Sequence, residues 1–190
     1  MGFPTRLEMT AALRGFAAVL RGEADALRHY DLSVDGFWRS FWPALLLTVP
    51  YVLLLEPLVA AAAEDAGGVG YIAGQGLLQL ANWFVYLGLM IVLCRAFGLT
   101  GRYAAFVVLY NWAQAIAILA TLPVLALTQW GLLPPGTPLG WSGILLLVWL
   151  YAVVRMARIA LGAPLAAALM AALLDLAVTV LLHRLVDFIL

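Results

Sequence analysis

The amino-acid sequence predicts an all-α polytopic membrane bundle, five transmembrane helices behind an N-terminal amphipathic helix at the membrane interface. Three observations lead there. Five long apolar stretches are divided by very short connections, the Arg residues gather at alternate connections, and the 52 positions from 103 to 154 hold no formally charged side chain. That charge-free segment is long enough to cross a bilayer twice and turn around. Of 190 residues, 66% are apolar and 11% charged, against about 45–50% and about 25% in a soluble domain. Lipid is the solvent that tolerates such a composition.

The chain divides into an N-terminal interfacial region, residues 1–36, and a membrane domain, residues 37–190. Within the first, residues 5 to about 28 read as one helix. Thr5 and Glu8 form a capping-box pattern, and Leu13, Phe16, Ala17, Leu20, Ala24 and Leu27 recur at helical spacing. Arg14, Arg21 and Arg28 follow every seven residues beside that stripe, which suits a helix at headgroup level with its apolar side in lipid or against the bundle. Four Arg scattered among acids, with no uninterrupted apolar run ending in a cleavage site, argue against a removable signal peptide.

The five spans are placed at 37–62, 69–94, 103–130, 139–159 and 164–189. Each exceeds the roughly 20 helical residues that an apolar core of ~30 Å requires, so the longer ones tilt, kink or project into the interface. Between them, Ala66-Gly67-Gly68, Gly98-Leu99-Thr100-Gly101, Pro134-Pro135-Gly136-Thr137-Pro138 and Gly162-Ala163-Pro164 carry turn or helix-start chemistry.

Orientation follows from the cations. Arg6, Arg14, Arg21, Arg28 and Arg39 precede or open the first span, Arg95 and Arg102 flank the second connection, and Arg155 and Arg158 lie before the fourth. The other side offers Glu64 and Asp65, a third connection without charge, and His183 with Arg184. The positive-inside rule then places the N-terminus inside and the C-terminus outside. Trp38, Trp42, Tyr103, Trp130 and Trp141 fall near the predicted interfaces, where amphipathic rings belong. The absence of Lys and the abundance of Ala, Leu and Gly fit a high-GC bacterial genome, hence a bacterial cytoplasmic (inner) membrane.

Several function classes are disfavoured. Ten Arg balance ten acids, so nothing points to nucleic acid as a partner. Cys94 is alone, His29 and His183 are predicted on opposite sides, and no HExxH, GxSxG or phosphate-binding Gly-rich loop occurs. No metal, cofactor or enzymatic activity is therefore expected. The lipid bilayer is the first expected partner, and another membrane protein or a second copy the next.

The polar interruptions of the spans are the candidate site. Glu56 and Asp175 are the acids at membrane depth, and an ionised acid at a helix centre costs about 3 kcal/mol on insertion. Each is expected to face protein and to be paired, protonated or near water. Gln79, Asn82, Asn111, Gln114 and Tyr151 sit at comparable depths and offer donors, and Arg155 is the nearest cation to Asp175 in depth. Such a layer reads either as a proton or solute pathway or as polar glue between helices. Pro43, Pro50 and Pro57, seven apart on one helix face, read as a hinge or as a curved helix whose freed carbonyls are satisfied by neighbours. Gly70 with Gly74, and Ala163, Ala167 and Ala171, place small residues four apart and predict close helix packing.

Two local stretches carry a family resemblance. One is Asp31-Leu32-Ser33-Val34-Asp35-Gly36-Phe37-Trp38, leading into the first span. The other is Gly98-Leu99-Thr100-Gly101-Arg102-Tyr103, leading into a third span with Tyr110-Asn111-Trp112. With five spans behind an amphipathic N-terminal region, the chain resembles the Yip (Ypt/Rab-interacting protein) family, bacterial branch. Asp31 and Leu32 match the eukaryotic Asp-Leu-Tyr-Gly-Pro type of motif, whereas Ser33 and Val34 replace its Tyr and Gly and no Pro follows. Rab binding is therefore not implied. The resemblance implies a non-catalytic scaffold, adaptor or accessory subunit in membrane organisation or complex assembly. The alternative from the residues themselves is a small transporter or channel for protons or a solute, built on the polar midplane layer.

Overall fold

The computed structural model describes the backbone of residues 3–60 and 69–189 and the side chains of residues 3–55 and 73–185. Among the described residues every regular element is helical. The first connection, with Ala66-Gly67-Gly68, Glu64 and Asp65, lies outside them, and so do the side chains of Glu56 and Pro57.

Helix α1 spans Arg6–Arg21. Thr5 Oγ1 accepts from the Glu8 N–H at 3.2 Å while the Glu8 carboxylate accepts from the Thr5 N–H at 2.7 Å, so two orphan donors are satisfied reciprocally. The helix stops about two turns before the position expected from periodicity. Gly22 adopts φ 79°, and the N–H groups of Gly22 and Glu23 turn back to Val19 and Ala18 carbonyls. A separate short 3₁₀ turn follows at Ala26–His29. The face pressed on the bundle is also rotated from the expected stripe. Ala12, Gly15, Ala18 and Val19 are buried, whereas Leu13 and Met9 stay exposed. Small residues let α1 approach the bundle closely, Phe16 and Leu20 pack beside them, and Leu7, Met9 and Leu13 are left for the membrane boundary.

Helix α2 (Val34–Arg39) is capped by Ser33, whose hydroxyl accepts from Gly36 N–H at 3.1 Å. Helix α3 (Phe41–Ala60) follows after a break at Ser40. Pro43 accounts for that break, since it has no N–H for the Arg39 carbonyl four residues back and its ring crowds that carbonyl. From there α3 continues as one helix through Pro50 and Pro57. Pro43 itself sits in the first turn of α3, where a missing N–H is tolerated.

Helix α4 spans Val69–Ala96, α5 Tyr103–Gln129, α6 Thr137–Met156 and α7 Leu165–Ile189. With α2 and α3 together these supply five spans long and apolar enough to cross a bilayer, which makes the chain a multi-pass membrane protein. Helix α5 is the central one. It packs on α3, α6 and α1, and 61% of its apolar window is buried against 28–33% for the others. Leu46, Leu53, Val92, Leu147, Leu173 and Leu181 are exposed on the outward faces, where lipid chains replace water.

The Ala ladder lies in close-packed surroundings. Ala167 and Ala171 are buried, α7 packs on α4, and Tyr86 of α4 donates its hydroxyl to the Ala171 carbonyl at 3.3 Å. Gly74 does not share that role, since a Cβ there would meet nothing within 4 Å. It faces away from the bundle. Gly70 lies outside the described side chains. Helix α6 ends in a π-turn, Ala157–Leu161, closed by Gly162 at φ 66°. The Arg102 guanidinium fills the space beside Gly162, 2.8 Å from where a Cβ would stand.

Candidate functional site

Asp175 lies ten residues into α7, about 15 Å along it at the helical rise per residue. It is 4% exposed. Tyr110 of α5 donates its hydroxyl to Oδ1 at 2.6 Å, and Trp149 of α6 donates its indole N–H to Oδ2 at 2.6 Å. Each carboxylate oxygen thus accepts one short hydrogen bond from a neutral donor on a neighbouring span. Hydrogen bonds to a charged group contribute about 1.5–3 kcal/mol each, so two of them offset an insertion cost of about 3 kcal/mol. Among the described residues no cation lies within ion-pairing distance of this acid.

Asp175, Tyr110 and Trp149 form part of the wall of a cavity of about 240 Å³ to which every span contributes. Tyr51 comes from α3, Gln79 and Asn82 from α4, Gln114 and Thr121 from α5, Ser142 from α6 and Thr179 from α7. Helical spacing explains the grouping. Tyr110, Gln114 and Thr121 recur at four and seven residues on one face of α5, as do Asp175 and Thr179 on α7. Thr179 Oγ1 lies 3.2 Å from Asn82 Oδ1 and 3.0 Å from the Asp175 carbonyl. Leu145, Leu146 and Leu176 complete an amphipathic lining.

The lining runs from mid-depth towards Ser142 and Thr121, near the end of the bundle that carries the first and third connections. Towards the other end the core is solid. Tyr86 stacks on Tyr110 with ring centroids 4.8 Å apart, Phe106 lies 5.9 Å from Tyr110, and Met90 and Cys94 are fully buried nearby in the same core.

The remaining sequence candidates go elsewhere. Asn111, beside Tyr110 in the chain, points about 100° round α5 and belongs to a separate network. It accepts from Trp83 Nε1 at 3.0 Å and donates to Ser40 Oγ at 2.8 Å, and that hydroxyl donates to the Phe37 carbonyl at 2.7 Å. Tyr151 and Arg155 face α1. Tyr151 donates its hydroxyl to the Leu20 carbonyl at 3.0 Å, and the Arg155 guanidinium covers Gly22, with Nη2 1.8 Å from where a Cβ would stand. Arg155, the cation nearest Asp175 in depth, therefore faces α1 and forms no ion pair with the acid. Residue counting matched their depth, but Arg155 lies six residues beyond Trp149, about 240° round the helix, and its charge suits the carbonyl-rich end of α1.

Tyr110 and Trp149, the two donors to the acid, were missed as site residues because aromatic side chains in apolar spans read as packing. Their sequence signal was present as the four- and seven-residue spacings Tyr110–Gln114 and Ser142–Trp149.

At the Arg-bearing end, Arg39 joins Glu8 at 2.9 Å and Asp31 at 2.6 Å, tying α1 to α2. Burial raises the Glu8 carboxyl, but hydrogen bonds from Thr5 and the Arg39 charge outweigh it and hold Glu8 below its ordinary value. Asp31 is held down by hydrogen bonds from Ser33, with Arg39 adding to them against slight burial. Among the described residues no group of three or more His, Cys, Asp or Glu is arranged to hold a metal ion. Comparison with family models, curated proteins and solved structures finds no match to this chain.

Proposed function

We propose that this chain is a non-enzymatic small-solute transporter of the bacterial cytoplasmic membrane, with Asp175 at the floor of its solute cavity. The carrying observation is that all five spans contribute to one polar cavity whose acid is bonded to neutral donors. Polar groups that served only as glue would close on one another, as Asn111, Ser40 and Trp83 do. Gln79 and Gln114 line open space instead, and Asn82, bonded to Thr179, borders it. An intramembrane acid that borders such a space is placed where a solute, a proton or water reaches it.

The orientation adopted is N-terminus inside and C-terminus outside. Its support is the gathering of Arg39, Arg102 and Arg155 around α1 and the second and fourth connections. The cavity would then face outside, with the Tyr86–Tyr110–Phe106 cluster closing the inner half until the spans rearrange. The test is uptake by vesicles reconstituted with the full chain. Proton or solute flux above protein-free vesicles, lost in Asp175→Asn with an unchanged melting curve, is the expected result. Folded protein that moves neither protons nor small polar or charged solutes overturns the reading.

A second reading, the adaptor or scaffold implied by the Yip resemblance, is favoured by one observation. Phe3, Val34, Trp38 and Trp42 are exposed at the Arg-bearing end, in the region where a second copy or another membrane protein would dock. Mild-detergent purification that always returns a lone monomer would count against it.

A further inference from the structure

Resting on the solute-cavity reading, we propose that the ligand of this cavity is a small organic cation, an amine whose ammonium group sits on Asp175. Charge comes first. Asp175 is the acid of the lining, its two oxygens accept from neutral donors, and among the described residues no cation pairs with it. Gln79, Asn82, Gln114, Tyr51 and Thr179 are neutral, so a bound cation would complete the charge balance where an anion would be repelled. Geometry comes second. Tyr110 and Trp149 occupy one lone pair on each carboxylate oxygen and leave the others free, enough for an ammonium group and few for a bare metal ion.

The walls specify the rest of the molecule. Trp149, half-buried beside the acid and edge-to-face with the buried Tyr110 ring at 5.2 Å, offers an aromatic wall, and rings of this kind attract ammonium groups. Leu145, Leu146 and Leu176 offer apolar contact to a hydrocarbon body, for which a hydrated inorganic ion has no use. Size is set by the cavity volume of about 240 Å³. A ~150 Å³ cavity holds the roughly six carbons of benzene, which scales to about ten non-hydrogen atoms here.

The test uses the purified full-length protein in detergent and three probes of nearly equal shape: phenethylamine, the neutral phenethyl alcohol and the anionic phenylacetate. Calorimetric titration should show the amine binding at least tenfold more tightly than the alcohol, with no binding of the acid. Asp175→Asn should lower amine affinity at least tenfold and leave the alcohol unchanged. A Gln114→Cys variant on a Cys94→Ala background supplies a readout that does not need Asp175 altered. Its labelling by a water-soluble thiol reagent should be slowed by the amine and not by phenylacetate. Equal affinity for amine and alcohol, or equal protection by all three, overturns the cation assignment while leaving a solute cavity in place. Failure of Gln114→Cys to react at all, with no probe binding, overturns the cavity reading as well.

Discussion

Replacing Gly22 with Ala tests how α1 is held to the membrane domain. The backbone there has φ 79°, where an L side chain costs about 1–2 kcal/mol. A Cβ would also stand 1.8 Å from Arg155 Nη2, so the guanidinium must swing away or α1 must lift. Forcing a side chain off its rotamer costs about 0.5–1.5 kcal/mol. The sum, about 1.5–3.5 kcal/mol, falls on the docking of α1 against Arg155 of α6 and spares the packing of the spans on one another. Since 1.4 kcal/mol is about a factor of 10, amide hydrogen exchange in α1 should accelerate by about 10- to 300-fold. The deeper amides of α5 should keep their protection. Arg155→Ala provides the control. In that background the steric part is gone, and Gly22→Ala should cost only the backbone share, a non-additivity of about 1 kcal/mol. Unchanged α1 exchange in Gly22→Ala, or full additivity with Arg155→Ala, refutes the described docking.

Other expectations follow from single sites. Asn111→Leu leaves the Trp83 indole N–H without an acceptor and should lower stability by about 1–3 kcal/mol. Thermal melting in detergent would show it, and Trp83→Phe added to Asn111→Leu should recover part of the loss. Ala171→Leu overfills the crowded surroundings of Ala171 and should cost about 1–3 kcal/mol. Gly74→Leu, by contrast, enters open space and should leave the melting curve unchanged. Glu8 and Asp31 have carboxyls below their ordinary values of 4.5 and 3.8. Their ion pairs with Arg39 therefore contribute fully above those values and are lost as pH falls through the lowered ones. Acid should speed proteolysis in α1 before the spans melt, and Arg39→Gln should weaken that pH dependence, leaving the share due to the Thr5 and Ser33 hydrogen bonds.

The spans were legible because insertion depends on one-dimensional composition. A run of apolar residues with no charge over positions 103–154 admits few other readings. The Thr5–Glu8 cap was legible for a related reason, since both partners lie within one helical turn. Asp175 could be named as a costly residue by counting depth. Its surroundings could not, and Arg155 was matched to it on depth alone. Azimuth decided otherwise, with Trp149 turned to the cavity and Tyr151 and Arg155 turned to α1.

From the sequence alone came the number of spans, their approximate limits and the shortlist of polar residues at depth. The tertiary structure decided which of those meet. Tyr110 and Asp175 are 65 residues apart in the chain, and Asn111 and Ser40 71 apart. Membrane insertion is settled segment by segment, through transfer of each helix to lipid. Pairing between helices is settled by rotation about each axis, and that rotation is set by how closely small residues such as Ala12, Ala18, Ala167 and Ala171 let neighbours approach. No single segment carries that information, because each contact face exists only once its partner has packed against it.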